Sequence, residues 1–210
     1  GEEAHLYLLE NKNGVKAYLT DYGAALVRLL VPDKNNELRD VVLGYDDTAG
    51  YEQGDVFFGA TVGRNANRVG GAHVEIAGKV YKLEKNDNDN NLHSGTHYYN
   101  KRLWDVVEQA DDHVAFVLHS PDGDFDMHVT YTLDDSNELT IHYVAVPDQD
   151  TVINMTNHSY FNLNGHASGT VLGHKVTVNA DSFTPADAYS IPTGEIRSVE
   201  GTPMDFRSGR

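Results

Sequence analysis

His128-Val129-Thr130-Tyr131-Thr132-Leu133, followed by Asp134-Asp135-Ser136-Asn137 and then Glu138-Leu139-Thr140-Ile141-His142-Tyr143, reads as a β-hairpin. Val129, Tyr131 and Leu133 fall on one side of the first run, and Leu139, Ile141 and Tyr143 match them on the second. Successive side chains of a strand point to opposite faces, so this spacing gives one dry and one wet face, and a slip of one residue would reverse both. The Asp/Ser/Asn cluster between the runs supplies turn residues whose side chains hydrogen-bond nearby backbone.

The same alternation recurs outward from this hairpin. His73-Val74-Glu75-Ile76 and Val80-Tyr81-Lys82-Leu83 flank a turn at Ala77-Gly78-Lys79, and Trp104-Asp105-Val106-Val107 and Val114-Ala115-Phe116-Val117-Leu118 flank Ala110-Asp111-Asp112. Helical spacing over a long window does not recur. Many short strands with turns between them predict an all-β, large antiparallel β-sandwich. Asn86-Asp87-Asn88-Asp89-Asn90-Asn91 is the most polar stretch and is expected to be a loop. No fixed-period repeat or Pro/Gly-rich boundary divides the chain, so residues 1–210 are expected to form one domain.

Composition narrows the function. The 210 residues are 40% hydrophobic and 23% charged, an ordinary globular balance. Asp and Glu outnumber Lys and Arg by 32 to 16, a formal charge of -16 that repels nucleic acid and anionic membrane surfaces. The absence of cysteine excludes disulfides, zinc-thiolate sites and a cysteine nucleophile. No apolar run is long enough to span a membrane, and Gly1-Glu2-Glu3-Ala4-His5 lacks the basic and apolar regions of a secretory signal, so a soluble, cytoplasmic protein is expected.

Three segments carry groups suited to proton transfer and polar recognition. Asn157-His158-Ser159-Tyr160-Phe161-Asn162-Leu163 places a histidine among hydrogen-bonding neighbours after a strand-like run. Histidine changes charge near neutral pH, although in such company it can equally serve buried backbone groups. Asn91-Leu92-His93-Ser94-Gly95 offers a second histidine in a turn, and Gly63-Arg64-Asn65-Ala66-Asn67-Arg68-Val69 offers an amide and two guanidinium groups, whose ordinary fate is a surface ion pair. His93 and His97 have the four-residue spacing of metal ligands on a helix, but Ser94-Gly95-Thr96 is a poor helix and no metalloprotease glutamate joins them. No phosphate-binding Gly-rich loop or Gly-x-Ser-x-Gly elbow is present.

Together these segments closely resemble the aldose 1-epimerase (galactose mutarotase) family, across essentially the whole chain. The resemblance implies a mutarotase-like sandwich that interconverts the α and β anomers of a small aldose such as glucose or galactose, with no cofactor and no metal. It assigns His158 as the catalytic acid that protonates the sugar ring oxygen and His93 as its catalytic partner, hydrogen-bonding near that oxygen. It assigns Arg68 and Asn67 to substrate-binding at the sugar hydroxyls and leaves Arg64 structural. Ser94 departs from the family pattern, which has two glycines after this histidine, and Pro121-Asp122-Gly123-Asp124-Phe125-Asp126-Met127 lacks a short Gly/Pro-containing loop usual there.

The family's general-base glutamate and a sugar-binding aspartate lie beyond the segment matched by Gly201-Thr202-Pro203-Met204-Asp205-Phe206-Arg207. The chain therefore reads as the N-terminal two thirds of an epimerase, inactive by itself unless Asp181, Asp187, Glu195 or Asp205 supplies the base. Two other readings stay open: a non-catalytic carbohydrate-binding module, and a hexose-6-phosphate epimerase, which would call for clustered Arg or Lys. A homodimer is compatible with all three readings.

Overall fold

A computed structural model describes residues 2–120 and 126–209, so 121–125, the greater part of the 121–127 segment expected to lack a loop, lie outside them. The first sheet is an antiparallel meander of β1 (Leu6–Glu10), β2 (Lys16–Thr20), β3 (Ala25–Pro32) and β4 (Leu38–Asp40). A short helix α1 (Thr48–Gln53), whose N-terminus is capped by the Asp47 carboxylate, leads to β5 (Thr61–Val62) and β6 (Arg68–Val69). The hairpin β7 (His73–Ile76) and β8 (Lys79–Lys82) and the strand β9 (Asn91–Leu92) precede a second meander, β10 (Asp105–Gln109), β11 (His113–His119), β12 (Asp126–Leu133) and β13 (Leu139–Ala145). Thereafter β14 (Thr156–Asn157) pairs back onto β5, and β15 (Ser182–Phe183) pairs with β16 (Arg197–Ser198).

The alternating hairpin has the register its pattern predicts: Val129 opposes Tyr143, Tyr131 opposes Ile141 and Leu133 opposes Leu139. Met127, Val129, Tyr131 and Leu133 are all buried, while His128, Thr130 and Thr132 take the other face. At the turn, the Asp134 carboxylate accepts the backbone N–H groups of Ser136 and Glu138, and Asn137 adopts a left-handed φ of 70°. The two meanders face each other. Leu9, Ala17, Leu19 and Leu26 from the first pack with Val114, Phe116, Met127 and Val129 from the second, and the Tyr7 ring meets Phe116 edge-on at 5.7 Å. This is the expected antiparallel sandwich.

Two details differ from the expectation. Lys79 opens β8 instead of lying in the turn, because Ala77 and Gly78, at φ of 50° and 78°, complete a two-residue hairpin by themselves. The polar stretch is a loop only in part: Asn91 belongs to β9 and is wholly buried, its amide donating to the Glu84 carbonyl. Asparagine's usual preference for turns gives way here to a specific buried acceptor.

Beyond β13 the described chain forms only two-residue strands, and large apolar side chains stand in solvent, Leu172 at 89% and Ile196 at 77% exposure. Among the described residues, no helix is long and apolar enough to cross a membrane.

One backbone contact ties the core to the outer loops. Leu26 N–H donates to Gly59 O at 2.9 Å, and Gly59 has a φ of 62°. A Cβ added to Gly59 would stand 1.9 Å from the Leu26 carbonyl oxygen. Gly59→Ala is therefore expected to cost about 2–4 kcal/mol of folding stability, seen as a lower urea midpoint with an unchanged m-value.

Candidate active site

The Asn157–Leu163 motif is stitched between two backbone segments of the first half of the chain. Thr156 and Asn157 pair with Val62 and Thr61. The His158 N–H donates to the Ala60 carbonyl at 2.9 Å and its carbonyl accepts from Gly59 N–H at 3.2 Å, so His158 is clasped on both sides by one turn. Further along, Leu43 N–H donates to Tyr160 O and Asn162 N–H to Val41 O, both at 2.9 Å. Asn157 locks the entry: its Nδ2 donates to Gly59 O at 2.8 Å and to the Tyr131 hydroxyl at 3.2 Å, while its Oδ1 accepts from Ser159 N–H at 3.0 Å. Tyr131 in turn donates to Ala24 O at 2.8 Å, and burial pushes its phenol up to about 12, so it remains a donor.

His93 is fixed by the segment that carries the arginines. Pairing of β6 with β9 sets Arg68 opposite Leu92. One residue further out, His93 N–H donates to Asn67 O at 3.0 Å and Asn67 N–H donates to His93 Nδ1 at 2.9 Å. Since Nδ1 accepts, the neutral ring carries its proton on Nε2. Asn67, His93 and Ser94 all occupy left-handed backbone, at φ of 63°, 54° and 67°. Residues in this region persist where neighbours over-determine them. Ser94 helps to do so: its hydroxyl accepts Asn65 N–H at 2.7 Å, a pin that glycine at this position could not provide.

These two anchorages bring His93 and His158 together, ring centroids 5.3 Å apart and nearly perpendicular. Phe57 lies against both, at 4.7 Å from His93 and 5.6 Å from His158, and Tyr160 approaches His158 at 5.1 Å. Burial, reinforced by His158 and Arg68, lowers the His93 pKa to about 4. At neutral pH His93 is thus an uncharged donor through Nε2. Two imidazoles this close do not both charge readily.

Arg68 flanks the pair, half-buried, with Nε donating to Asp87 at 2.6 Å and an Nη reaching Asn67 Oδ1 at 3.4 Å. Arg64, by contrast, donates to the Thr151 hydroxyl at 2.6 Å. His97 lies in a turn, and among the described residues no three His, Asp or Glu side chains gather as metal ligands. The fallback carboxylates are engaged elsewhere: Asp181 and Asp205 with Arg207, Glu195 with Arg197, and Asp187 with the N–H groups of Tyr189 and Ile191. A cavity of about 500 Å³ lies behind the His93 turn, lined by Asn65, Ser94 and Tyr98 among others but by neither histidine. The arrangement of chemical groups, more than cavity volume, therefore marks the site.

Residues 5–210 match the family model described as aldose 1-epimerase. The chain belongs to the aldose 1-epimerase family. It is 43% identical to bovine galactose mutarotase over 195 residues, covering 90% of this chain and 56% of that protein. It is 38% identical to the aldose 1-epimerase of Haemophilus influenzae over 214 residues, covering 99% of this chain and 62% of that protein. Among solved structures, an aldose epimerase homologue from C. elegans superposes with a TM-score of 0.94 at 38% identity, covering 99% of this chain and 65% of the other. Galactose 1-epimerase from Lactobacillus acidophilus gives 0.83 at 27% identity, covering 100% and 67%. The chain thus spans less than two thirds of the curated aldose 1-epimerase relatives it matches.

All four residues singled out from sequence, His158, His93, Arg68 and Asn67, converge. Sequence reasoning missed Asp87, hidden in the polar loop with no spacing rule linking it to Arg68, and Phe57, whose left-handed turn has no sequence signature. The lowered His93 pKa has a sign-definite consequence. Between its folded value of about 4 and the ordinary histidine value near ~6.5, the unfolded chain binds the extra proton and the folded one does not. Its stabilising effect is complete above that window and is lost as pH falls through it, and the His93 Cε1–H resonance should titrate with a midpoint near 4.

Proposed function

We propose that this chain carries the acid half of an aldose 1-epimerase site, which interconverts the α and β anomers of a free aldose such as galactose or glucose. The observation that carries the reading is the facing pair, a neutral His93 with its proton on Nε2 opposite His158, beside a guanidinium held by a carboxylate. Family membership and relatives named galactose mutarotase and aldose 1-epimerase support it.

In this reading His158 gives its proton to the ring oxygen as the C1–O5 bond breaks, while a carboxylate base takes the proton of the C1 hydroxyl. The open-chain aldehyde rotates about C1–C2, and ring closure on the other face returns both protons. His93 hydrogen-bonds through Nε2 beside the ring oxygen, where negative charge grows during opening; a fixed neutral donor stabilises that charge without competing for the proton. Arg68, with Asn67, offers its planar fork of N–H groups to adjacent sugar hydroxyls, oriented by Asp87. No step requires a metal or redox cofactor. The base is assigned to none of Asp181, Asp187, Glu195 and Asp205, which are committed to other partners. One domain and a cytoplasmic location, in keeping with the absence of cysteine, belong to the same proposal.

A hexose-6-phosphate substrate fits less well, because the arginine beside the histidines is already paired with Asp87 and the chain carries a formal charge of -16. A non-catalytic sugar-binding module would need neither the histidine pair nor the lowered His93 pKa.

In the protein expressed from its natural reading frame, His158→Asn should slow polarimetric mutarotation of freshly dissolved α-galactose by on the order of 10²-fold. A folded variant with near-normal turnover would remove His158 from the acid role. Arg68→Ala should lower kcat/KM by the equivalent of roughly 1–3 kcal/mol. Unchanged sugar kinetics with reduced thermal stability would make Arg68 a structural ion-pair former.

A further inference from the structure

We propose that Phe57 is the positioning residue of the histidine pair: its ring sets the angle between the two imidazoles and keeps water from His93. The inference deepens the proposed epimerase function, and its catalytic part rests on that function.

Phe57 is not a core residue. It is half-buried, stands outside the cluster that fills the sandwich, and its described ring contacts are His93 at 4.7 Å, edge to face, and His158 at 5.6 Å, tilted by 33°. It therefore touches the two groups proposed to handle the ring-oxygen proton, which come from segments far apart in sequence.

Its backbone is informative as well. Phe57 has a φ of 58°, a conformation in which Cβ crowds the backbone and which non-glycine residues seldom adopt outside enforced turns. The enforcement is visible. Ala60 N–H closes the turn onto Phe57 O at 3.1 Å, Gly59 lies two residues on at a φ of 62°, and Gly59 and Ala60 bond the His158 backbone on both sides. One turn thus holds the His158 main chain and, through Phe57, the faces of both imidazoles. A flat aromatic ring fits this place because it contacts both imidazoles at once and excludes water from His93.

The groups facing His93 are His158 across the gap, Arg68 and Asn67 from the neighbouring segment, and Asp87 through Arg68. None of these groups is chemically altered by the substitution, so a changed His93 midpoint reports the loss of the ring, through water access and the freed angle to His158.

The test uses Phe57→Gly, Phe57→Leu and Phe57→Tyr in the protein from its natural reading frame. Imidazole titrations, Tm, and the kcat and KM for aldose mutarotation would be measured on each. Glycine accepts the left-handed backbone, so Phe57→Gly should keep Tm little changed. Water then reaches His93, and its midpoint should rise from about 4 by on the order of one pH unit. Loss of the fixed angle should lower kcat about tenfold with KM little altered, and Phe57→Tyr should restore both quantities. A folded Phe57→Gly variant with the wild-type midpoint and kcat overturns the proposal, as does a fall in Tm alone. If Phe57→Gly does not fold, the same midpoint shift must appear in Phe57→Leu, and its absence there is equally decisive. If the wild-type protein does not accelerate mutarotation at all, the functional reading fails while the His93 midpoint still judges the role of Phe57.

Discussion

The Asn157 side chain is the constraint on which the site depends. Its amide donates to the Gly59 carbonyl and to the buried Tyr131 hydroxyl, and its carbonyl caps Ser159 N–H. Tyr131 belongs to the dry face of the hairpin and passes the connection on to Ala24, in the turn that enters β3 of the first sheet. One asparagine thus fastens the residue before His158 to both layers of the sandwich. A buried amide with its partners in place orients the neighbouring histidine, whereas a half-satisfied one would cost about 1–3 kcal/mol. The turn holding His158 is part of the same network, and its glycine has no room for a side chain.

Electrostatics derive from this packing. His93 meets His158 on one side and Arg68 on another in a place partly closed to water, and all three influences disfavour a charged His93. The two histidines are chemically identical, yet its surroundings hold His93 as a neutral donor. Separating the roles of like groups through their surroundings is how one site supplies both an acid and a stabiliser at the same pH. Asp87 completes the arrangement by pairing with Arg68 through Nε, while an Nη of the guanidinium reaches Asn67 Oδ1.

Much of this was legible in the sequence, because alternation is a local signal. The Val129–Tyr131–Leu133 pattern specifies which face is dry, and its partners are set once the turn is placed. The histidine motifs were legible through their resemblance to a family, and the structure brings together the four residues that resemblance named. Long-range pairings and unusual backbone conformations could not be read. Nothing in the spacing of Asp87 announces Arg68 as its partner, and the left-handed backbone at Phe57 belongs to a turn held by hydrogen bonds to a segment about a hundred residues away. Asn91 looked like loop because asparagine usually is, and only a tertiary acceptor, the Glu84 carbonyl, turns it into a buried strand residue.

The central claim is that two differentiated imidazoles form an aldose site, and long-range ¹H–¹⁵N spectra of the imidazoles, recorded at neutral pH with and without D-galactose, test it most directly. The account predicts a neutral His93 protonated on Nε2, with the sugar shifting the signals of His93 and His158 but not those of the outlying His113 and His119. A His93 protonated on Nδ1, or a histidine pair indifferent to saturating sugar, would contradict it.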